Sequence, residues 1–266
     1  MTTSRILPCV LVLALAVGTG IGCKGGGEGE PTVDKAELVQ QLTAINQSYD
    51  ALQQARQDLA ALRSELAEQE ATPERSRSAE QTARIDELRT KIAAQDADNA
   101  SNYDDLQTKL ANFLTIALND FPNDPETMAG LRTYSEEAMA YADDAVEKAG
   151  DYKKAIDQLE LAKGYYEQIQ KPVYEPLNVR ISELDELRYI TEERFDQITK
   201  GMTEAQVKEA AGTPYYRNIK EDQEKKVITW LYPKREGGAA AVYFKMDNRK
   251  VYSKNFDAVK IKVSDE

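Results

Sequence analysis

Between Asp34 and Glu70 the chain runs for 37 residues without a proline or a glycine. Apolar side chains fall at Leu38, Leu42, Ile45, Tyr49, Leu52, Leu59, Leu62 and Leu66. Those steps of three, four and seven line one face of an α-helix. Gln, Glu and Arg fill the other faces, so the stripe is what must be covered. At 1.5 Å per residue such a helix is about 55 Å long. Ala71-Thr72-Pro73-Glu74 interrupts it, and a second stripe at Ile85, Leu88 and Ile92 fades into the polar run Gln95 to Asn99. Ser101, with Asp104 three residues on, has the form of a capping box and predicts that a helix restarts there. Its face would carry Tyr103, Leu106, Leu110, Phe113 and Ala117. Residues 34–120 are therefore expected to form a long helical hairpin that turns near Pro73 and kinks near Asp98. A coiled coil closed by a partner would carry the same stripe.

Residues 124–190 read as further helices. Asp124-Pro125-Glu126 opens one, with an acid at the N-cap and proline at the first helical position. Ala138, Tyr141, Ala142 and Ala145 share a face, Gly150-Asp151-Tyr152 turns the chain, and Ala155, Leu159 and Ala162 line the return. Small residues let two helices approach closely, in a pattern that resembles a single tetratricopeptide repeat. Asp143 stands where that repeat favours glycine, and no second copy follows at its period. A generic helical hairpin reads the same way. Pro172 and Pro176 close this unit, and Leu177, Ile181, Leu184 and Leu187 or Arg188 mark one more amphipathic helix.

From 191 to 266 the texture changes. Phe195 and Ile198 keep helical spacing, and Thr203 with Gln206 forms a second capping-box pattern behind Gly201. Gly212, with Pro214 beyond it, reads as a helix stop. Strands are expected at Val227–Tyr232, at Ala240–Phe244, and from Val251 toward Val259-Lys260-Ile261. Trp230 and Tyr232 share one strand face, as do Val242 and Phe244, which makes them core positions. Adjacent residues on one element point different ways. Tyr215-Tyr216 and Tyr165-Tyr166 are therefore candidates for exposed contacts, with packing between domains the commoner use. Tyr215 and Tyr216 are the possible partner contacts. Lys225-Lys226 and Lys234-Arg235 flank a strand, where they could meet anionic headgroups or, more ordinarily, keep an edge from aggregating.

The order of phrases in this last segment resembles the SmpA/OmlA (BamE-like) family. Its pattern of G-M-T-x-x-Q-V, G-x-P, W-x-Y and V-x-F before K-V is carried here by a defined set of residues. They are Gly201, Met202, Thr203, Gln206, Val207, Gly212, Pro214, Trp230, Tyr232, Val242, Phe244, Lys250 and Val251. Ala211 departs from the family's leucine before the glycine. The resemblance implies two helices packed on a three-stranded antiparallel sheet, and a role in an outer-membrane protein-assembly complex facing the periplasm. The implied partner is the β-barrel assembly machinery. The fold class expected for the chain is thus a mostly α front half, a long helical hairpin plus a helix pair, followed by a small α+β domain.

The N-terminus has its own pattern. Arg5 precedes an apolar run from Ile6 to Val17, too short to cross a bilayer but the length of the apolar core of a secretory leader. Gly22-Cys23 then resembles the end of a lipobox, although Gly20 stands where such motifs usually carry leucine. The resemblance implies a signal peptide over 1–22, cleavage between Gly22 and Cys23, and a covalent lipid on Cys23. Residues 23–33 would then form a flexible tether, with Lys24 to Thr32 rich in glycine and charge. No other cofactor is expected. Lys24 after the cysteine favours sorting to the outer membrane, by analogy with enteric lipoproteins.

Composition removes several chemistries. The chain has no histidine and its only other cysteine, Cys9, lies in the leader. That leaves no histidine base, no cysteine nucleophile and no zinc site of the usual kind. Residues 24–190 carry 18 Lys+Arg against 33 Asp+Glu, and residues 191–266 carry 15 against 13. So acidic a front half does not suit nucleic acid, which needs a basic face. A noncatalytic adaptor tethered to the outer membrane is the expected function. An inhibitor or regulator of a periplasmic enzyme is the alternative, since the C-terminal architecture also resembles β-lactamase-inhibitor folds. Acid pairs such as Asp143-Asp144 or Glu183 with Glu186 would serve an enzyme, but on helices they usually mark a solvated face.

Overall fold

A computed structural model of the protein describes residues 33–260. The expected leader, with Gly22, Cys23 and the expected tether up to Thr32, and Ile261 lie outside those residues. The described chain forms two units, divided between Pro122 and Asn123.

The first unit is a two-helix hairpin of α1 (Lys35–Glu70) and α2 (Ala79–Asp120). The Asp34 carboxylate accepts the Glu37 N–H at 2.9 Å and starts α1. A single 3-10 turn, Glu74–Ser76, reverses the chain after Pro73. Ser78 and Gln81 then start α2 with a reciprocal capping box. Leu38, Leu42, Ile45, Leu52 and Leu59 of α1 are buried, as are Ile85, Leu88, Leu106, Leu110 and Phe113 of α2. The helices are antiparallel, tied across by Arg84–Glu65, Arg89–Glu70 and Arg63–Asp96. These pairs are solvent-exposed and each contributes little to stability.

The kink and restart expected near Asp98 and Ser101 are absent, because α2 is continuous through both. The stripe does not stop there; it changes chemistry. Gln95 and Asn99 continue the three- and four-residue steps from Ile92, and Leu106 takes them up again seven residues after Asn99. The Asn99 amide reaches the Ala55 carbonyl at 3.4 Å and accepts from Gln95 at 3.2 Å. Polar side chains on the seam bond instead of packing, and the helix has no backbone reason to break.

The second unit joins α3 (Pro125–Ala149), α4 (Tyr152–Gln168) and α5 (Glu175–Arg188) to the α+β module. Ala138, Ala142, Ala155, Leu159 and Ala162 form the close helix contact, completed by Leu177 and Leu184 of α5. Gly150 ends α3 in the left-handed conformation at φ 62°, and Asp151 caps α4 through the Lys154 N–H at 3.1 Å. Tyr165 and Tyr166 are 6% and 1% exposed, so neither is an outward contact. Tyr165 packs edge-on against Tyr134, and Tyr166 shares a hydrogen bond with Ser135.

The α+β module places α6 (Glu192–Asp196) and α7 (Glu204–Ala211) on an antiparallel sheet. Its order is β1 (Ile219–Asp222), β2 (Val227–Pro233), β3 (Ala239–Lys245), β4 (Val251–Val259). Four strands replace the three expected. Strand β1 is IKED, four residues with two exposed charges and no alternating apolar face, and only its pairing with β2 makes it a strand. Short charged edges of this kind protect a sheet from further pairing. Ile228, Trp230, Tyr232, Val242, Phe244 and Val251 face the helices and bury Phe195, Ile198 and Val207.

Candidate functional site

The residues that carry the family resemblance converge on two seams inside the second unit. The first joins the loop before α7 to β4. Gly201, at φ 95°, donates its N–H to the Val251 carbonyl at 2.8 Å, and Val251 donates back to Met202 at 2.9 Å. Thr203 then caps α7 in a capping box with Gln206, and Val207 enters the core fully buried. Trp230 packs against Phe244 with the rings tilted by 51° and their centroids 4.5 Å apart.

The second seam joins α7 and β2 to the helices. Gly212 ends α7 at φ 89°, and the Tyr152 hydroxyl sits 2.6 Å from where a Cβ at Gly212 would lie. A Cβ at Gly150 would in turn lie 2.3 Å from the Pro214 carbonyl oxygen. Each chain turn therefore has room for the other only because both lack a side chain. The Tyr232 hydroxyl donates to the Gly212 carbonyl at 3.2 Å. Ile190 donates to Pro233 at 2.9 Å, and Arg235 binds the Asp185 carboxylate at 2.8 Å. The boundary expected at residue 190 is thus a packed junction.

Arg194 closes this seam. Its guanidinium donates to the Tyr189 carbonyl and, at 3.4 Å, to those of Glu186 and Leu187, which satisfies the C-terminal end of α5. Burial lowers its pKa, opposed by the phenols of Tyr152 and Tyr232. Burial likewise raises the phenol of Tyr152, and raises Tyr232 well above the ordinary value. The space left in the seam is only about 10 Å³, room for one water at most. Gly212, Pro214 and Tyr232 are thereby committed to internal packing and offer no ligand cavity.

Tyr215, one of the two possible partner contacts, is 6% exposed and packs edge-on against Tyr216. Tyr216 is 50% exposed, with Arg217 over its ring. The two tyrosines are adjacent, but the structure presents only Tyr216. Tyr152, Arg194 and Gly150 were not read from the sequence as a set; a tyrosine directly after a Gly-Asp turn was the one available clue.

The acid pairs give no dyad. Asp143 and Glu183 both bind Arg180, and Asp144 binds Lys148. Among the described residues no cluster of three or more His, Cys, Asp or Glu is placed to hold a metal. None of the described helices is long and apolar enough to cross a membrane.

No curated protein and no solved structure matches the chain. Residues 188–263, the end of α5 and the whole α+β module, match the family model of the outer membrane protein assembly factor BamE domain.

Proposed function

We propose that the protein is a noncatalytic adaptor in outer-membrane protein assembly, held to the outer membrane by a lipid on Cys23 and facing the periplasm. The observation that carries this reading is the family match over 188–263. Its motif residues form the seams that fix α6 and α7 on the sheet. A fold built in that way presents surfaces, and Tyr216 with Arg217 is one of them. The β-barrel assembly machinery is the partner.

Two measurements test it. The full-length tagged protein, drawn from native membranes in gentle detergent, should bring barrel-assembly proteins with it by mass spectrometry. A clean preparation without them removes the assembly role. Cys23→Ser should move the protein from the membrane to the soluble fraction, and a variant that stays membrane-bound removes the lipid anchor.

A further inference from the structure

Several cations of the α+β module are committed internally. Lys234 binds Asp257 and lies over the Phe256 ring, and Arg235 binds Asp185 and lies over Tyr189. Arg249 binds Glu204, and Lys254 donates to the Phe195 carbonyl. Lys226 and Lys245 have no ion-pair or hydrogen-bond partner for their ammonium groups among the described residues. Lys225 has only an exposed pair with Asp222.

These three lysines rim a shallow, open depression at the end of the sheet where the β1–β2 and β3–β4 turns meet. Val227, Met246 and Tyr252 line it, each partly buried, and the Met246 N–H ties the two turns together by donating to the Lys226 carbonyl at 3.0 Å. Asp247 is the single acid in the lining. Lys226 also holds a left-handed backbone, φ 57°, where glycine or asparagine would be less strained. A cation is kept at a position whose backbone disfavours it, beside two more cations and an apolar floor. Strain retained in this way points to a use for the side chain.

We infer that this depression binds an acidic, extended segment of a partner protein, with an apolar side chain seated on Val227, Met246 and Tyr252 and carboxylates meeting Lys225, Lys226 and Lys245. The mixed rim, three lysines with Asp247 among them, favours a protein segment over an anionic membrane surface. Bilayer docking uses protruding apolar side chains beside cations, whereas here the apolar groups form the floor and an acid stands on the rim. Charge complementarity sets the sign of the partner. The inference depends on the adaptor reading only for there being a protein partner, and it names the chemistry of one partner face.

The test uses the full chain in nonionic detergent and a fluorescein-labelled peptide of Asp and Glu around a central Phe-Leu, followed by anisotropy. The peptide should bind, more weakly as salt rises, and its Asn/Gln counterpart should not. Combined Lys226→Glu and Lys245→Glu should weaken binding by about tenfold or more, while Lys91→Glu on the hairpin leaves it unchanged. Lys226→Gly separates binding from folding: it relieves the backbone, so the melting temperature should hold or rise while affinity falls several-fold. Absence of peptide binding, equal binding of the amide peptide, or unchanged affinity in the double variant each overturns the inference. Lysine-dependent binding to phosphatidylglycerol vesicles without peptide binding overturns it too, and reassigns the depression to a lipid surface. Peptide binding without recovery of barrel-assembly proteins would remove only the assembly role; recovery without peptide binding would remove only the peptide site.

Discussion

At the scale of single residues, the tightest constraint is the phenol of Tyr232. It is 4% exposed and donates to the Gly212 carbonyl. Tyr232→Phe should cost about 1 kcal/mol at neutral pH, the usual value of one buried hydrogen bond. Burial raises its pKa above the ordinary 10.0, so the folded state keeps the proton after the unfolded chain has lost it. Stability from this group is complete below pH 10 and declines as pH rises from there toward the folded value. Urea unfolding at stepped alkaline pH should show that decline in the native protein and a shallower one in Tyr232→Phe. The decline should not vanish, because Tyr152 is shifted the same way. Identical slopes would remove the assignment to Tyr232.

At the scale of elements, α2 is the informative case. Its 42 residues pass through Gln95 and Asn99 without a break. Asp98→Pro removes an interior N–H donor and clashes with the preceding turn, which costs about 3 kcal/mol. The hairpin should lose helical circular dichroism and melt earlier; a real kink at Asp98 would have tolerated the proline. The hairpin itself was legible, since Pro73 is the sole breaker between two apolar stripes. Continuity was not, because Ser101 and Asp104 match a capping pattern that only a free helix end can use. The pattern in use is Ser78 with Gln81. Strand β1 was equally hidden, since its residues have no apolar period and its hydrogen bonds come from β2.

At the scale of the whole molecule, the described chain is two units, and the second fuses the helices α3–α5 with the α+β module. Gly150 sits where that fusion packs most closely. A Cβ there would meet backbone, not a flexible side chain, and the left-handed φ disfavours it independently. Gly150→Ala should therefore cost roughly 2 kcal/mol or more. Gly201→Ala, at φ 95° with open space around it, should cost about 1 kcal/mol from the backbone alone. Native-state hydrogen exchange provides the check. In Gly150→Ala, protection should fall together in α4 and β2, as one cooperative block. Loss confined to α4 would mean that the two modules open separately.

The sequence alone determined what repeats along it: the hairpin stripes, the small-residue contact of α3 with α4, the strand cores around Trp230 and Phe244, and the charge contrast between the two halves. Those features are local or periodic, and burial follows from period and side-chain type. The motif glycines were visible, but their second partners were not. Gly212 faces Tyr152 from 60 residues away, and Gly150 faces Pro214 from 64. Tertiary structure decided that Tyr165 and Tyr166 are both covered while Tyr216 stays exposed beside a buried Tyr215, and that three lysines gather at one end of the sheet. Those outcomes depend on groups brought together by folding, and no spacing along the chain encodes a contact between residues that only packing makes neighbours.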